Sequence, residues 1–545
     1  MKINFKKIES GFEPTDDGKC TVSGNGMVAT QSSFASEAGA EILRQGGNAI
    51  DAAVAAALAL SVTEPQASGL GGQTMMLLYN GEDVVAVDGS SRAPSLAHVN
   101  AVYKQDRSLG YRATTVPSTP ATLWYVLDRY GKLPWAQVCE PAIALAEDGF
   151  PISQLQHDLQ VRELDKFLKV ESKSGAKYFL QNDEAFKVGE IFRQDDLARL
   201  LRRIAEKGVN DFYRGKVARQ IDADMRENGG LLRLDDLVLM PFPIEREPLT
   251  KSFRDLDVYT MPPPGSGRTL LFALMMLDLI PQKVKISDSA TQNLLFINIL
   301  RKAFLERSDR PFDPNFFPQT MDESMMLDPL YARECLTEIL EDVDKSILPH
   351  IPTEDELAGE TTHLSVIDKD GLAVSLTQSI ERVYGSKAAA AELGFLYNNY
   401  LYDFEFNQPE HPFYLRPNAV PWATVAPTLV FNDEKLWLAL GSPGSERIIS
   451  TLTLFLLNLI DKKNSLANAM LAPRFHCSLG GRVSLEAGRF PESLIPYLEY
   501  KGFRIDRRED FAFYLGCVQA VLQKHDGSGF QGVADIRRDG TAVGV

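Results

Sequence analysis

The run Thr361-Thr362-His363 stands at the mouth of the segment HLSVIDKDGLAVSLTQS. That segment reads as a strand, a turn at Asp368 to Gly371 and a second strand. With the turn centred between Lys369 and Asp370, antiparallel pairing sets Thr361 opposite residue 378, within one register step. Either Thr377 or Ser379 then lies beside Thr361. A threonine hydroxyl is a weak nucleophile at its free pKa and needs a neighbour to activate or orient it. A second hydroxyl across the hairpin can orient it. The same spacing also describes a plain hairpin with Thr and Ser on its surface, because threonine is a common strand residue.

A second feature is Gly441-Ser442-Pro443-Gly444-Ser445, between the strand LWLAL and the apolar run RIISTLTLFLLNLI, which reads as a helix. Backbone N–H groups at a strand–loop–helix junction point outward with the positive helix end behind them. Such groups can hold the oxyanion of a tetrahedral intermediate. An ordinary Gly-Pro turn has the same composition.

The elements that must position these residues are legible in outline. The first twenty or so residues are polar and read as an arm. Ser36–Gln45 reads as a helix capped by Ser36, and Asn48 caps a second helix over 49–60 that is small on every face. Two apolar runs around Asn80-Gly81 read as a hairpin. From Pro117 to about Phe316 the pattern is mainly helical, with MPPPGSG at 261–267 as a rigid loop before a helix. Residues 341–360 are acidic and poor in large apolar side chains, and read as an exposed linker. Beyond it GFLYNNYLYDF reads as strand-like, TVAPTLVFNDEKLWLALGS as a hairpin, and GFQGVADIRRDGTAVGV as a terminal strand pair. The class is α+β with a largely antiparallel sheet.

Composition narrows the chemistry. A net charge of −16 argues against nucleic acid, which wants clustered Lys and Arg. Five scattered cysteines without a CxxC pair read as reduced thiols, and the N-terminus lacks a secretory apolar stretch, so a cytoplasmic location is expected. The Ala-rich run 52–60 is about half the ~20 residues that span a bilayer, so no membrane partner is expected. The seven histidines show no metal spacing, and no cofactor is expected. There is no G-x-S-x-G elbow. The SGLGG segment is not G-x-G-x-x-G and does not read as a phosphate loop. Length alone suggests roughly three or four domains.

Together these segments resemble the γ-glutamyltranspeptidases of the N-terminal-nucleophile hydrolase superfamily. The landmarks, in family order, are GMVAT at 26–30 and SEAGAEILRQGGNAIDAAVAAALALSVTEPQASGLGG at 36–72. They continue with LPWAQVCEPAIALAEDGFPIS at 133–153, TTHLSVIDKDGLAVSLT at 361–377, Asn398-Asn399 with Asp403-Phe404, APTLVF at 426–431, GSPGSERI at 441–448 and APRFH at 472–476. The resemblance covers nearly the whole chain. It implies an αββα four-layer sandwich, with two stacked antiparallel sheets flanked by helices. It implies a precursor that cuts itself at Glu360–Thr361 by an N-to-O acyl shift and hydrolysis. The pieces, 1–360 and 361–545, would remain one globular unit. Thr361 would then be the nucleophile and its freed α-amine the base, with Ser379 as supporting hydroxyl and Gly444 and Ser445 as the oxyanion pair. The substrate would be an amide or γ-glutamyl compound, with water or an amine as acceptor.

The resemblance weakens in the acyl pocket. The family's carboxylate-binding Arg aligns with Ser90, and Arg92 stands two residues later. Glu381 stands where the family has Asn, Tyr400 where it has Gln, and Thr424 follows Ala423 in place of a Ser-Ser pair. Asp403 matches the acid that holds a substrate amino group. Ser445 stands where Gly is usual, but still offers a backbone N–H. Losing a bidentate Arg costs an α-carboxylate substrate several kcal/mol. A family acylase acting on a non-glutamyl amide is therefore one alternative. An unprocessed, non-catalytic binding relative is another.

Overall fold

The structure, a computed structural model of the 545-residue chain, describes residues 3–240, 243–280, 290–315, 323–342 and 359–545. Its centre is the hairpin Thr362–Asp368 and Ala373–Ser379. The turn closes locally: Asp368 accepts from the N–H groups of Asp370 at 2.9 Å and Leu372 at 3.1 Å, and Gly371 takes φ +84°. The other Asp368 oxygen accepts from Ala49 N–H at 2.8 Å. The turn is thereby docked on the first turn of the helix Ala49–Thr63, whose cap Asn48 forms a full capping box with Asp51.

That hairpin is the middle of one of two seven-stranded sheets formed by the described residues. Its order is Thr541–Gly544, Gly26–Thr30, Thr362–Asp368, Ala373–Ser379, Gln73–Tyr79, Val84–Gly89 and Ile244–Arg246. The other runs Cys20–Ser23, Phe530–Ala534, Gln519–Gln523, Lys435–Gly441, Thr428–Asn432, Leu256–Thr260 and Leu249–Phe253. Every ladder in both is antiparallel. Three apolar layers glue the stack. Leu364, Val366, Val374 and Leu376 face the helix Ser33–Arg44 and the fully buried helix Ala49–Thr63. Ile367, Ala373, Leu429, Ala439 and Val521 meet between the sheets. Val430, Leu438 and Leu440 pack against the helices Gly267–Asp278, Ala290–Asp309 and Arg447–Leu456. The architecture is the helix–sheet–sheet–helix sandwich expected.

Between the sheets the apolar layer is interrupted by a polar column. His363 is fully buried, with Nδ1 2.8 Å from Thr377 Oγ1 and Nε2 3.2 Å from Ser365 Oγ. Burial pushes the His363 imidazole down to about 3, so it is neutral at physiological pH. Facing it is Gly441, where an added Cβ would sit 2.1 Å from His363 Cε1. Gly441→Ala is expected to push the sheets apart and destabilise the fold by roughly 1–3 kcal/mol, the usual cost of overpacking. Urea unfolding measures this, and an unchanged midpoint would contradict the contact.

Several expectations need correction. The N-terminal arm is docked: Phe5–Ser10 is a helix, Ile8 is buried, and Phe5 meets Trp437 edge-on at 5.3 Å. The helix beginning near Ser36 starts three residues earlier, at Ser33, leaving Ser36 buried inside it. The helical stretch 117–316 is broken by three short strands between Ile244 and Thr260. GFLYNNYLYDF is no strand but a loop with a 3-10 turn at Tyr400–Asp403. The last two strands do not pair with each other; they belong to different sheets. Most of the expected linker, residues 343–358, lies outside the described residues.

Candidate active site

The ladder pairs Thr362 with Gln378, so Thr361, just beyond it, faces Ser379. Thr361 Oγ1 donates to Ser379 Oγ at 3.3 Å, and Ser379 Oγ donates to the carbonyl of Glu360 at 2.8 Å. Ser379 also accepts from the Glu381 N–H at 2.8 Å. Glu381 achieves this by taking φ +80°, a left-handed conformation uncommon outside Gly, as the chain leaves the strand. Its carbonyl in turn accepts from Glu360 N–H at 2.7 Å. The peptide before Thr361 is thus pinned on both sides, with its carbonyl and the threonine hydroxyl joined through one serine.

Further groups hold the same segment. Arg447 donates to Gly359 O at 3.3 Å, and Arg538 to the Glu360 carboxylate at 3.2 and 3.3 Å. Gln31 Nε2 donates to Thr361 O at 3.1 Å and Thr362 Oγ1 at 2.6 Å. The Thr362 hydroxyl in turn donates to the Glu64 carboxyl at 2.6 Å. Burial is the main cause that raises the Glu64 carboxyl to about 8, opposed by the Thr362 hydrogen bond and reinforced by Glu360. The sign of the linkage follows. Between the unfolded value of 4.5 and about 8 the folded chain keeps a proton that the unfolded chain releases, so stability falls as pH rises through that window. The slope is at most about 1.4 kcal/mol per pH unit. Glu64→Gln is expected to flatten it in urea unfolding; equal slopes in wild type and variant would place Glu64 in its charged form.

The loop Ser442–Glu446 closes over this segment. Gly444 and Ser445 have φ of +119° and +54°, and a Cβ on Gly359 would come 2.8 Å from Ser445 Cβ. Among the described residues, neither the Gly444 nor the Ser445 N–H donates to a protein acceptor. These two donors sit beside the Glu360–Thr361 segment.

The acyl-pocket candidates divide. Tyr400 is buried, with its hydroxyl in hydrogen-bonding reach of Ser379 and Gln73; burial raises its pKa well above the usual phenol range. Glu381 and Asp403 hydrogen-bond to one another. Burial first, and then the Glu381 charge, push the Asp403 carboxyl far up, which describes a protonated Asp403 donating to the Glu381 carboxylate. Thr377 does not reach Thr361. It lies one cross-strand pair deeper, under His363, because side chains on one face recur every second residue. Arg92 donates to Asn418 O at 3.3 Å and borders a recess with Asp88 and Ile244, with no contact to the Thr361 group. Thr424 is half-buried in the extended run before Thr428–Asn432, between two residues whose carbonyls accept from Ser266. Sequence reasoning missed Gln31, Glu64, Arg447 and Arg538. The available signal was Glu64, an acid at the C-cap of a helix that is small and apolar after its capping Asp51.

A hydroxyl at the start of a central strand, beside the carbonyl of its own upstream peptide in a four-layer sandwich, defines the N-terminal-nucleophile hydrolases. The family model described as Gamma-glutamyltranspeptidase matches residues 35–545. The chain is 33% identical to the glutathione hydrolase proenzyme of Escherichia coli (strain K12) over 538 residues, 94% of this chain and 90% of that one. It is 32% identical to the Acylase ACY 1 proenzyme of Pseudomonas sp. (strain V22) over 549 residues, 97% of this chain and 95% of that one. The crystal structure of cephalosporin acylase from Bacillus halodurans superposes with a TM-score of 0.87 at 28% identity, covering 96% of this chain and 97% of that one. The chain belongs to the γ-glutamyltranspeptidase family, and it is an enzyme of the N-terminal-nucleophile hydrolase type.

Proposed function

We propose that the chain is a precursor that cuts its own Glu360–Thr361 peptide and then uses Thr361 to take an acyl group, γ-glutamyl or related, from an amide. The observation that carries this is the Thr361–Ser379–Glu360 hydrogen-bond chain. Thr361 Oγ attacks the Glu360 carbonyl carbon through a five-membered ring. Its proton passes to Ser379, and the Ser379 proton passes to the former carbonyl oxygen. On collapse that proton moves from the oxygen to the departing nitrogen, the carbonyl re-forms and the C–N bond breaks, leaving an ester on Oγ and a free α-amine on Thr361. Water cleaves the ester, giving a Glu360 carboxylate and restoring the hydroxyl. The α-amine, with a typical pKa of ~7.7–8.0, then serves as base in turnover. It takes the Oγ proton as Oγ attacks the substrate amide and returns it to the departing amine. Gly444 and Ser445 N–H groups receive the oxyanion. The acyl-enzyme goes to water or to an amine acceptor.

The test is incubation followed by a denaturing gel and N-terminal sequencing, which should find a new chain beginning at Thr361. A persistent single band would favour an unprocessed binding relative. A second reading, an acylase for non-glutamyl amides, is favoured by one observation: Ser90 binds Asp88 and Arg92 is turned to Asn418, so neither supplies the family's carboxylate clamp. Comparing γ-glutamyl-p-nitroanilide with other acyl p-nitroanilides separates the two. We also propose a reducing, cytoplasmic setting, supported by five buried cysteine thiols outside any disulfide; cell fractionation tests it.

A further inference from the structure

The carboxylate of Glu360, the residue just before the cut, takes no part in the bond changes above. Yet it is only 2% exposed and is met by Arg538, equally buried, at 3.2 and 3.3 Å. Arg538 comes from far away in the chain, in the turn that carries the backbone from Phe530–Ala534 in one sheet to Thr541–Gly544 in the other. It is itself held: Nη1 donates to Phe513 O at 2.8 Å, and the guanidinium stacks on the Phe513 ring at 3.3 Å. The same turn is anchored below by Arg537, fully buried between Glu486 and Asp535 at 2.6 and 3.0 Å. The anchor is therefore rigid. Glu64 and Asp539 are further acids close by, and Lys19 Nζ donates to the Arg538 carbonyl at 2.6 Å.

A buried pair of this kind is weak evidence for stability, since desolvation offsets most of its attraction. Its placement says more. The Ser379 hydroxyl holds the Glu360 carbonyl and the Glu381 carbonyl holds the Glu360 N–H, both from the same strand exit, whereas the Glu360 side chain is gripped separately by Arg538. We propose that the Glu360–Arg538 ion pair is a positioning device for self-cleavage, fixing the side chain of the residue before the cut so that its carbonyl carbon faces Thr361 Oγ. This rests on the self-cleavage reading. It adds that the protein reads the identity of residue 360, a residue of the large piece, through a residue of the small piece.

The experiment is a cycle on the full chain with Glu360→Gln, Arg538→Gln and the double variant, following conversion of precursor to products. Each single change is expected to slow conversion at least tenfold, and the double variant to match the slower single. If the effect were merely an uncompensated buried charge, the double variant would recover wild-type speed; if the residues acted separately, the two slowdowns would multiply. Either result overturns the proposal. Arg538→Lys, which keeps the charge, should recover part of the rate and covers the case in which Arg538→Gln fails to fold. Hydrogen exchange supplies a readout independent of chemistry. In a Thr361→Ala background, the Glu360 and Thr361 amides are expected to exchange faster when either partner is changed. Unaltered exchange there overturns the positioning role. Faster exchange with no cleavage in the wild type would instead fail the self-cleavage reading and leave the clamp standing.

Discussion

Thr361→Ala is expected to leave the full 545-residue chain as a single band and to abolish acyl transfer. Both effects have one cause, because the same Oγ is the attacking atom in self-cleavage and in turnover. Removing the nucleophile of a hydrolytic site costs on the order of 10⁶ in kcat when the remaining groups cannot replace it. The folded state should be almost unaffected: Thr361 Oγ1 makes one long hydrogen bond, 3.3 Å, and the backbone bonds to Gln31 and the strand persist. A fold check by circular dichroism therefore accompanies the gel. Thr361→Ser keeps the hydroxyl and should still convert. Cleavage or turnover surviving in the alanine variant would sink the mechanism.

Ser379→Ala should give the next largest effect, and on cleavage first. Ser379 accepts the Thr361 proton and donates to the Glu360 carbonyl, so its loss removes both the relay and the donor to the developing oxyanion. Loss of one such donor costs about 10²–10³ in rate. Glu381 N–H loses its acceptor as well, which loosens the strand exit. Conversion should remain first order in precursor, since every group is on one chain. A rate constant within a few-fold of wild type would show that another group carries the proton.

The sequence made part of this arrangement visible and hid the rest for identifiable reasons. The Thr361–Ser379 neighbourhood follows from a short turn whose residues, Asp368 to Gly371, announce themselves, so the register could be counted to within one step. Thr377 and Ser379 could not be separated by that count; only the observed pairing of Thr362 with Gln378 does so. The Asn48 cap was equally local. The strands between Ile244 and Thr260 are three to five residues long and carry too little alternation to stand out from helical neighbours. Arg538 was invisible for another reason: its role depends on 178 residues of separation from Glu360 being closed by two sheets. Arg92 was misleading because proximity in sequence to an aligned position does not fix a side chain's direction; Asn418 claims it.

The order of strands across the sandwich carries a last consequence. The bond between Glu360 and Thr361 divides the chain into parts whose strands alternate. Cys20–Ser23 lies beside Phe530–Ala534, Leu256–Thr260 beside Thr428–Asn432, and Gly26–Thr30 between Thr541–Gly544 and Thr362–Asp368, while Gln73–Tyr79 borders Ala373–Ser379. Both seven-stranded sheets are shared, so neither part keeps either of them whole without the other. Two parts so interleaved are expected to stay together once severed, with dilution giving them no route apart short of unfolding. Folding, however, draws on the tether while it exists: with it, every one of those seams closes as an intramolecular loop; without it, two strangers must meet. The cut is thus a ratchet. Molecules that fold first and sever afterwards stay assembled, and molecules unfolded after severing have lost the means by which they were made.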